Sequence, residues 1–289
     1  MMTPSRRAVV LGLAAAACAR PQPAPKLVAT FSILEDFVRI LAGDAAETVA
    51  IVGPDADAHV YEPTPAHAAL ISDAVLTVEN GLGFEPWMAR LRNTGANARA
   101  TCVAARAVAP LMRGGVPDPH AWHDAANARL YVSEIATALV AALPHAAPDI
   151  EARRAAYDAE LLVLDRDIRR RLGAIPPKRR IVVTSHDAFG YFERAYGVRF
   201  LAPLGLMTEE DARPNRVAAL IDQIRRENVR AFFLENMADP RLIERVADET
   251  GARLGGKLCS DALTGPDGPA PTYEQLMRTN VEAIVAALA

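Results

Sequence analysis

The stretch PDIEARRAAYDAELLVLDRDIRRRLG, residues 148–173, decides the architecture of this chain. Apolar side chains recur at Ile150, Tyr157, Leu161, Leu164, Ile168 and Leu172, the three- and four-residue steps of one helical face, and charged residues dominate the remainder. The stretch opens with Pro148 and Asp149 and closes on an Arg-rich turn followed by Gly173 and the pair Pro176-Pro177, so both helix ends are marked. At 1.5 Å per residue the pattern predicts a rod of about 35–40 Å, enough to run along the back of two lobes and set their spacing. The apolar pattern does not continue for several more heptads, which argues against a coiled coil.

On either side the chain alternates between short apolar strands and amphipathic helices. Before the long helix, strands are expected at 26–31, 48–52, 74–78 and 98–103, with helices at 33–41, 66–72 and 86–91 between them. After it, strands are expected at 180–184, 198–201, 230–234 and 253–258, helices at 188–196, 216–227 and 240–250, and a last amphipathic helix over 272–288. Such alternation with short connections predicts an α/β fold of two lobes, each a mainly parallel sheet flanked by helices. The lobes are residues 26–147 and 174–289, and the linking helix is 148–173.

Half of the 289 residues are apolar and the formal net charge is −3, so cores are easily built and nothing calls for nucleic acid. A small molecule or an ion is the better partner. Arg6-Arg7 precede an apolar run over 8–17, and Ala17-Cys18-Ala19 supplies small residues for cleavage, so residues 1–19 read as an export signal and 20–25 as a tether. The run is short for a membrane span. Cys18 is a candidate lipid-anchor site, although Ala15 stands where a Leu is usual. Export implies a periplasmic, oxidising setting, yet Cys102 and Cys259 fall in different halves and are expected as two buried thiols.

Ligands of such sheets bind beyond the carboxyl ends of strands, which directs attention to four polar residues. His59 follows the second strand, His120 lies in Asp118-Pro119-His120-Ala121-Trp122, His186 follows the apolar run Ile181-Val182-Val183-Thr184, and Asp261 follows Ser260. Imidazole and carboxylate donors from separate loops suit a borderline divalent ion, and four of them complete a tetrahedral shell. No compact motif such as His-Glu-x-x-His is present.

Five segments carry a specific resemblance: His59-Val-Tyr-Glu-Pro-Thr-Pro65, Asn80-Gly-Leu-Gly-Phe-Glu-Pro-Trp87, Asp118-Pro-His-Ala-Trp122, Ser185-His-Asp-Ala-Phe-Gly-Tyr-Phe192 and Ser260-Asp-Ala-Leu-Thr-Gly-Pro-Asp-Gly-Pro269. In that order the set resembles the motif series of the zinc/manganese solute-binding proteins of bacterial ABC transporters. The resemblance implies a metal held in the cleft by His59, His120, His186 and Asp261, a membrane permease as partner, and no catalysis. A monomer is expected. The third ligand position in that family is Glu or His, and here it is His186. Three imidazoles and one carboxylate favour Zn2+. Binding of Asp261 through both oxygens would admit Mn2+ or Fe2+, and residues 109–117 lack the His-rich insertion of many zinc-specific relatives.

Glu62, close in sequence to His59, and Glu235, at the end of an apolar strand, are the expected acceptors for the far imidazole N–H groups. His123 is expected to be exposed, His67 and His145 peripheral, and Trp87 and Trp122 packing residues. A zinc hydrolase is the main rival reading, with Glu62 or Glu235 as base, but a fourth protein ligand leaves no position for water. An adhesin or a metal store would share the fold.

Overall fold

The computed structural model describes residues 24–208, 213–229 and 231–289. The expected export signal over 1–19, Cys18 and most of the tether lie outside the described residues. The first half contains β1 (Lys26–Phe31), α1 (Ser32–Ala42), β2 (Glu47–Val52), α2 (Pro65–Asp73), β3 (Leu76–Glu79), α3 (Pro86–Asn93) and β4 (Thr101–Val103). A small hairpin of β5 (Met112–Arg113) and β6 (Val116–Pro117) leads to α4 (Ala125–Ala142) and then to the long α5 (Ala147–Gly173). The second half runs β7 (Ile181–Val183), α6 (Gly190–Tyr196), β8 (Arg199–Leu201), α7 (Pro214–Glu227), β9 (Ala231–Glu235), α8 (Arg241–Thr250), β10 (Arg253–Leu258) and α9 (Tyr273–Leu288).

The sheets are ordered β2-β1-β3-β4 and β10-β9-β7-β8, and every neighbouring pair is parallel. Counted from the first strand of each half, both read second, first, third, fourth. The halves therefore share one topology, and each sheet has a point, between its first and third strands, where the winding direction reverses. Crevices form there, outside the carboxyl ends of the strands.

The spine is 27 residues, about 40 Å, and its buried face is the expected set Ile150, Tyr157, Leu161, Leu164, Ile168 and Leu172. Against it lie α4 on one side and α9, through its buried Tyr273, Leu276, Met277, Val281 and Ile284, on another. One apolar core runs without a break from the first sheet through α5 and α9 to the inner face of the second sheet. A smaller cluster of Val183, Leu220, Ile224, Phe232, Ile243 and Val246 fills the other face of that sheet, under α7 and α8. Each such side chain contributes about 1.5–3 kcal/mol on full burial, so the spine is cemented to both lobes.

Two features differ from expectation. The helix α4 and the hairpin that precedes the Asp118 loop were not anticipated. The expected strand assignments otherwise match to within a few residues at each end. Cys102 in β4 and Cys259 just past β10 are both buried free thiols, each pushed up to about 12 by burial.

Candidate metal centre

The three candidate histidines are each held through a backbone N–H, and Asp261 through the carbonyl of the residue before it. His59 and His120 sit in matching Asp-x-His turns: the His59 N–H donates to Asp57 Oδ1 (2.8 Å) and the His120 N–H to Asp118 Oδ1 (2.9 Å). A short polar side chain that captures the N–H two residues on is the usual device for fixing such a turn. In the second half the acceptor comes from another strand, because Glu235 Oε1 at the end of β9 accepts the N–H groups of Ser185 (2.7 Å) and His186 (3.0 Å) just beyond β7. The indoles complete the frame: Trp87 Nε1 donates to Ala58 O (2.8 Å) and Trp122 Nε1 to Ser260 O (3.0 Å). Both tryptophans are packing residues, and each also anchors the residue that precedes a candidate donor.

The four side chains converge. One donor atom from each of His59, His120, His186 and Asp261 lies within 4.8 Å of the others, and all four residues are buried. His59 Nε2 is 3.2 Å from His120 Nε2 and 3.2 Å from Asp261 Oδ2, and His186 Nε2 is 3.1 Å from the same oxygen. His120 Nε2 faces the other oxygen, Oδ1, at 3.6 Å. Tetrahedral donors at zinc bond lengths of 2.0–2.1 Å stand about 3.3 Å apart, so the observed spacings need little adjustment around such an ion. Phe84 closes one wall, its ring centroid 4.6 Å from that of His59.

Carboxylates stand behind two of the rings. Asp118 Oδ1 lies 2.8 Å from His120 Nδ1, so Nε2 is the ring nitrogen turned toward the other three residues. Glu235 Oε2 lies 2.7 Å from His186 Nδ1. Burial alone would lower the His186 pKa, but Glu235 and Asp261 outweigh it and raise the imidazole well above the usual histidine range. Burial likewise pushes Asp261 and Glu235 up, and the facing imidazoles reverse this, holding both below the usual carboxylate range. His59 has no such carboxylate behind it, and burial lowers its pKa despite the nearby Asp261. A buried cluster with this donor set can bind a divalent cation through neutral imidazoles and an ionised carboxylate.

Glu235 stands beside His186, where the sequence places it, but Glu62 does not approach His59. It is exposed and lines a surface hollow with Pro63, Arg90 and Thr94. Between Tyr61 and Pro65 the chain turns outward to start α2, carrying Glu62 away. The carboxylate that sequence reading missed is Asp118, whose signal was its place two residues before a histidine, as with Asp57 and His59. His123 is not exposed: it is fully buried, its ring 4.5 Å from Phe189, and burial lowers its pKa to about 3. His67 lies in the first turn of α2, its Nδ1 accepting the Thr64 N–H at 3.0 Å, and His145 is exposed.

Residues 27–287 match the family model described as zinc-uptake complex component A, periplasmic. Among curated relatives, the iron-binding protein YfeA of Yersinia pestis is 34% identical over 263 residues, covering 90% of this chain and 85% of the relative. The manganese-binding lipoprotein MntA of Halalkalibacterium halodurans is 31% identical over 264 residues, 91% of this chain and 88% of its own. Among solved structures, the periplasmic zinc binding protein TroA from Treponema pallidum superposes with a TM-score of 0.88 at 29% identity, covering 92% of this chain and 99% of that one. A manganese-bound periplasmic metal binding protein from Candidatus Liberibacter asiaticus reaches 0.83 at 29% identity, covering 92% and 100%.

Proposed function

This chain belongs to the ZnuA family of periplasmic zinc-uptake components, a family of substrate-binding proteins that capture a divalent metal for an ABC transporter, and we propose that its own cargo is zinc, held by His59, His120, His186 and Asp261. The observation that carries this reading is the convergence of three imidazoles and one carboxylate, all buried, at spacings close to those of a four-coordinate ion. Nitrogen-rich shells favour zinc over manganese in intrinsic affinity. Glu235 and Asp118 serve as the carboxylates that orient His186 and His120.

One observation favours a second cargo. Asp261 turns Oδ1 toward His120 and Oδ2 toward His59 and His186, the arrangement of a carboxylate able to bind through both oxygens. A five-coordinate shell of that kind admits Mn2+ or Fe2+, the metals in the names of the MntA and YfeA relatives. A hydrolytic role fits poorly, since Glu235, the nearest candidate base, already accepts two backbone N–H groups and faces His186.

The remaining parts of the reading follow the family. Residues 26–147 and 174–289 act as the two lobes that bridge through the ion, with 148–173 as their link. The protein works as a monomer outside the cytoplasmic membrane, in the periplasm, with Cys18 as its lipid anchor, and delivers the ion to a membrane permease. Lipoprotein relatives such as MntA support the anchor. The deciding experiment is a competition titration of the metal-stripped mature chain with zinc and manganese, alongside Asp261→Ala. One-to-one zinc binding that survives excess manganese and weakens at least a hundredfold in the variant is the expected result. Manganese prevailing, or a variant that binds normally, would overturn the zinc assignment or the ligand set respectively.

A further inference from the structure

The motif Asn80-Gly-Leu-Gly-Phe-Glu85 supplies no donor to the metal centre, yet it is tied to it through buried polar contacts. Asn80, at the end of β3, is fully buried. Its Nδ2 donates to Pro119 O (2.9 Å), the carbonyl that immediately precedes His120, and to Gly81 O (3.0 Å). Its Oδ1 accepts the hydroxyl proton of Tyr131 from α4 (2.7 Å). Both partners of Nδ2 are carbonyls that can only accept, so the carboxamide has one workable orientation.

The backbone of Asn80 is held just as firmly. Its N–H donates to Glu85 Oε1 (2.6 Å), which also accepts from Thr30 Oγ1 (2.6 Å), and burial raises the Glu85 carboxyl to about 7. Gly81, Leu82 and Gly83 run consecutively at φ of 83°, 55° and 84°, and a Cβ at Gly81 would come within 2.5 Å of Val103 Cγ1. The loop thus adopts a path that side chains at Gly81 would forbid. Its product is one carboxamide aimed at Pro119 and one ring, Phe84, laid against His59. From the other half, Tyr191 OH donates to Asp118 O (3.2 Å).

We propose that Asn80 is a positioning residue for the metal: oriented by Tyr131, it fixes the Pro119 carbonyl and through it the bearing of His120, so that His120 keeps its register with His59 as part of the first lobe. The inference rests on the reading of His120 as a ligand. Asn80 is fully buried, so its bond to Pro119 O is shielded from bulk solvent, and its loss is expected to let the Asp118-Pro119-His120 turn rotate away from the ideal donor position.

The test uses the metal-stripped mature chain with Asn80→Ala, Tyr131→Phe, His120→Ala and the double variant of Asn80→Ala with His120→Ala. Readouts are zinc affinity by chelator competition, the visible spectrum of the cobalt-loaded protein, and the thermal midpoint without metal. Asn80→Ala is expected to weaken zinc about 10–100-fold, the usual effect of removing a group that orients a ligand, and to change the cobalt band intensity. Tyr131→Phe should shift both in the same direction by less, and it carries the test if Asn80→Ala does not fold. In the His120→Ala background, Asn80→Ala should add nothing to the loss. A lowered midpoint with unchanged affinity and cobalt spectrum, or an equal loss in both backgrounds, would reduce Asn80 to a structural residue. Wild-type binding by His120→Ala would instead remove the ligand reading on which the inference stands.

Discussion

His186 is squeezed between two carboxylates, Glu235 behind it and Asp261 before it, and this sets how the site meets a cation. Burial opposes its charge, the carboxylates prevail, and its pKa stands well above the usual value, while that of Asp261 stands well below. Because both carboxylates favour the charged form of His186, metal binding at this site is expected to release a proton. Zinc affinity should rise with pH up to the elevated pKa, by about tenfold per unit for one displaced proton, and fall as the medium acidifies. In the metal-free protein the sign is opposite: a raised pKa contributes stability that is complete below the unfolded value near 6.5 and is lost as pH rises through the folded one. Calorimetric zinc titrations at neutral pH in two buffers of unlike ionisation enthalpy test this directly. Apparent enthalpies that differ in proportion to the buffers are expected, and identical ones would show that no proton leaves.

At the scale of elements, the spine is the part that joins everything else, and Leu164 sits at its centre, fully buried in the continuous core. Leu164→Ala should cost about 2–5 kcal/mol, as a cavity there cannot be filled by a helix fixed on several sides. Fluorescence and circular dichroism should report one shifted thermal transition for the whole chain, whereas two separated transitions would mean that the lobes fold independently of α5. The spine was legible because six large apolar side chains mark one face against charged neighbours. The helix α4 was not, since Ala125, Ala128 and Ala136 share its buried face with Tyr131, Val132, Ile135 and Leu139 while more alanines lie on its other faces, which blurs the boundary between them. Periodicity cannot separate a buried alanine from an exposed one. The same limit of local reading explains the side chains that went astray. Glu62 is near His59 along the chain but beyond a turn, while His123 was expected to be exposed and is instead covered by Phe189, just ahead of α6, which stacks on Phe200 of β8. The convergence of His59, His120, His186 and Asp261 was legible from the motifs that carry them and, for His186 and Asp261, from their places just past β7 and β10.

For the whole molecule, the question is what opens when the cargo leaves. The unbroken core through α5 and α9 resists large rotation of one lobe against the other. The Asp261 loop is tied to the first half, since Leu263 N–H donates to Ser32 Oγ (2.9 Å) and Trp122 to Ser260 O. At the mouth, Thr208 Oγ1 of the second half donates to Asp57 Oδ2 (2.6 Å), beside the bonds that Asp55 of the same loop makes with Asn236 Nδ2 (3.0 Å) and Leu263 O (2.9 Å). The other oxygen of the Asp57 carboxylate holds the His59 N–H, so one side chain joins a candidate metal ligand to the opposite lobe. Opening at Thr208 would loosen His59 without disturbing the spine. Thr208→Val keeps the shape of the side chain and removes its hydrogen bond to Asp57 Oδ2, and bonds to carboxylates are worth about 1.5–3 kcal/mol. If the contact is made only in the closed, loaded state, its loss appears in the release rate, because each 1.4 kcal/mol is about a factor of ten. Stopped-flow release of zinc to a chelator should therefore speed up about tenfold or more in the variant, with the metal-free thermal midpoint unchanged. Equal release rates would place the opening motion elsewhere, and a lowered metal-free midpoint would show that the mouth is already latched before the ion arrives.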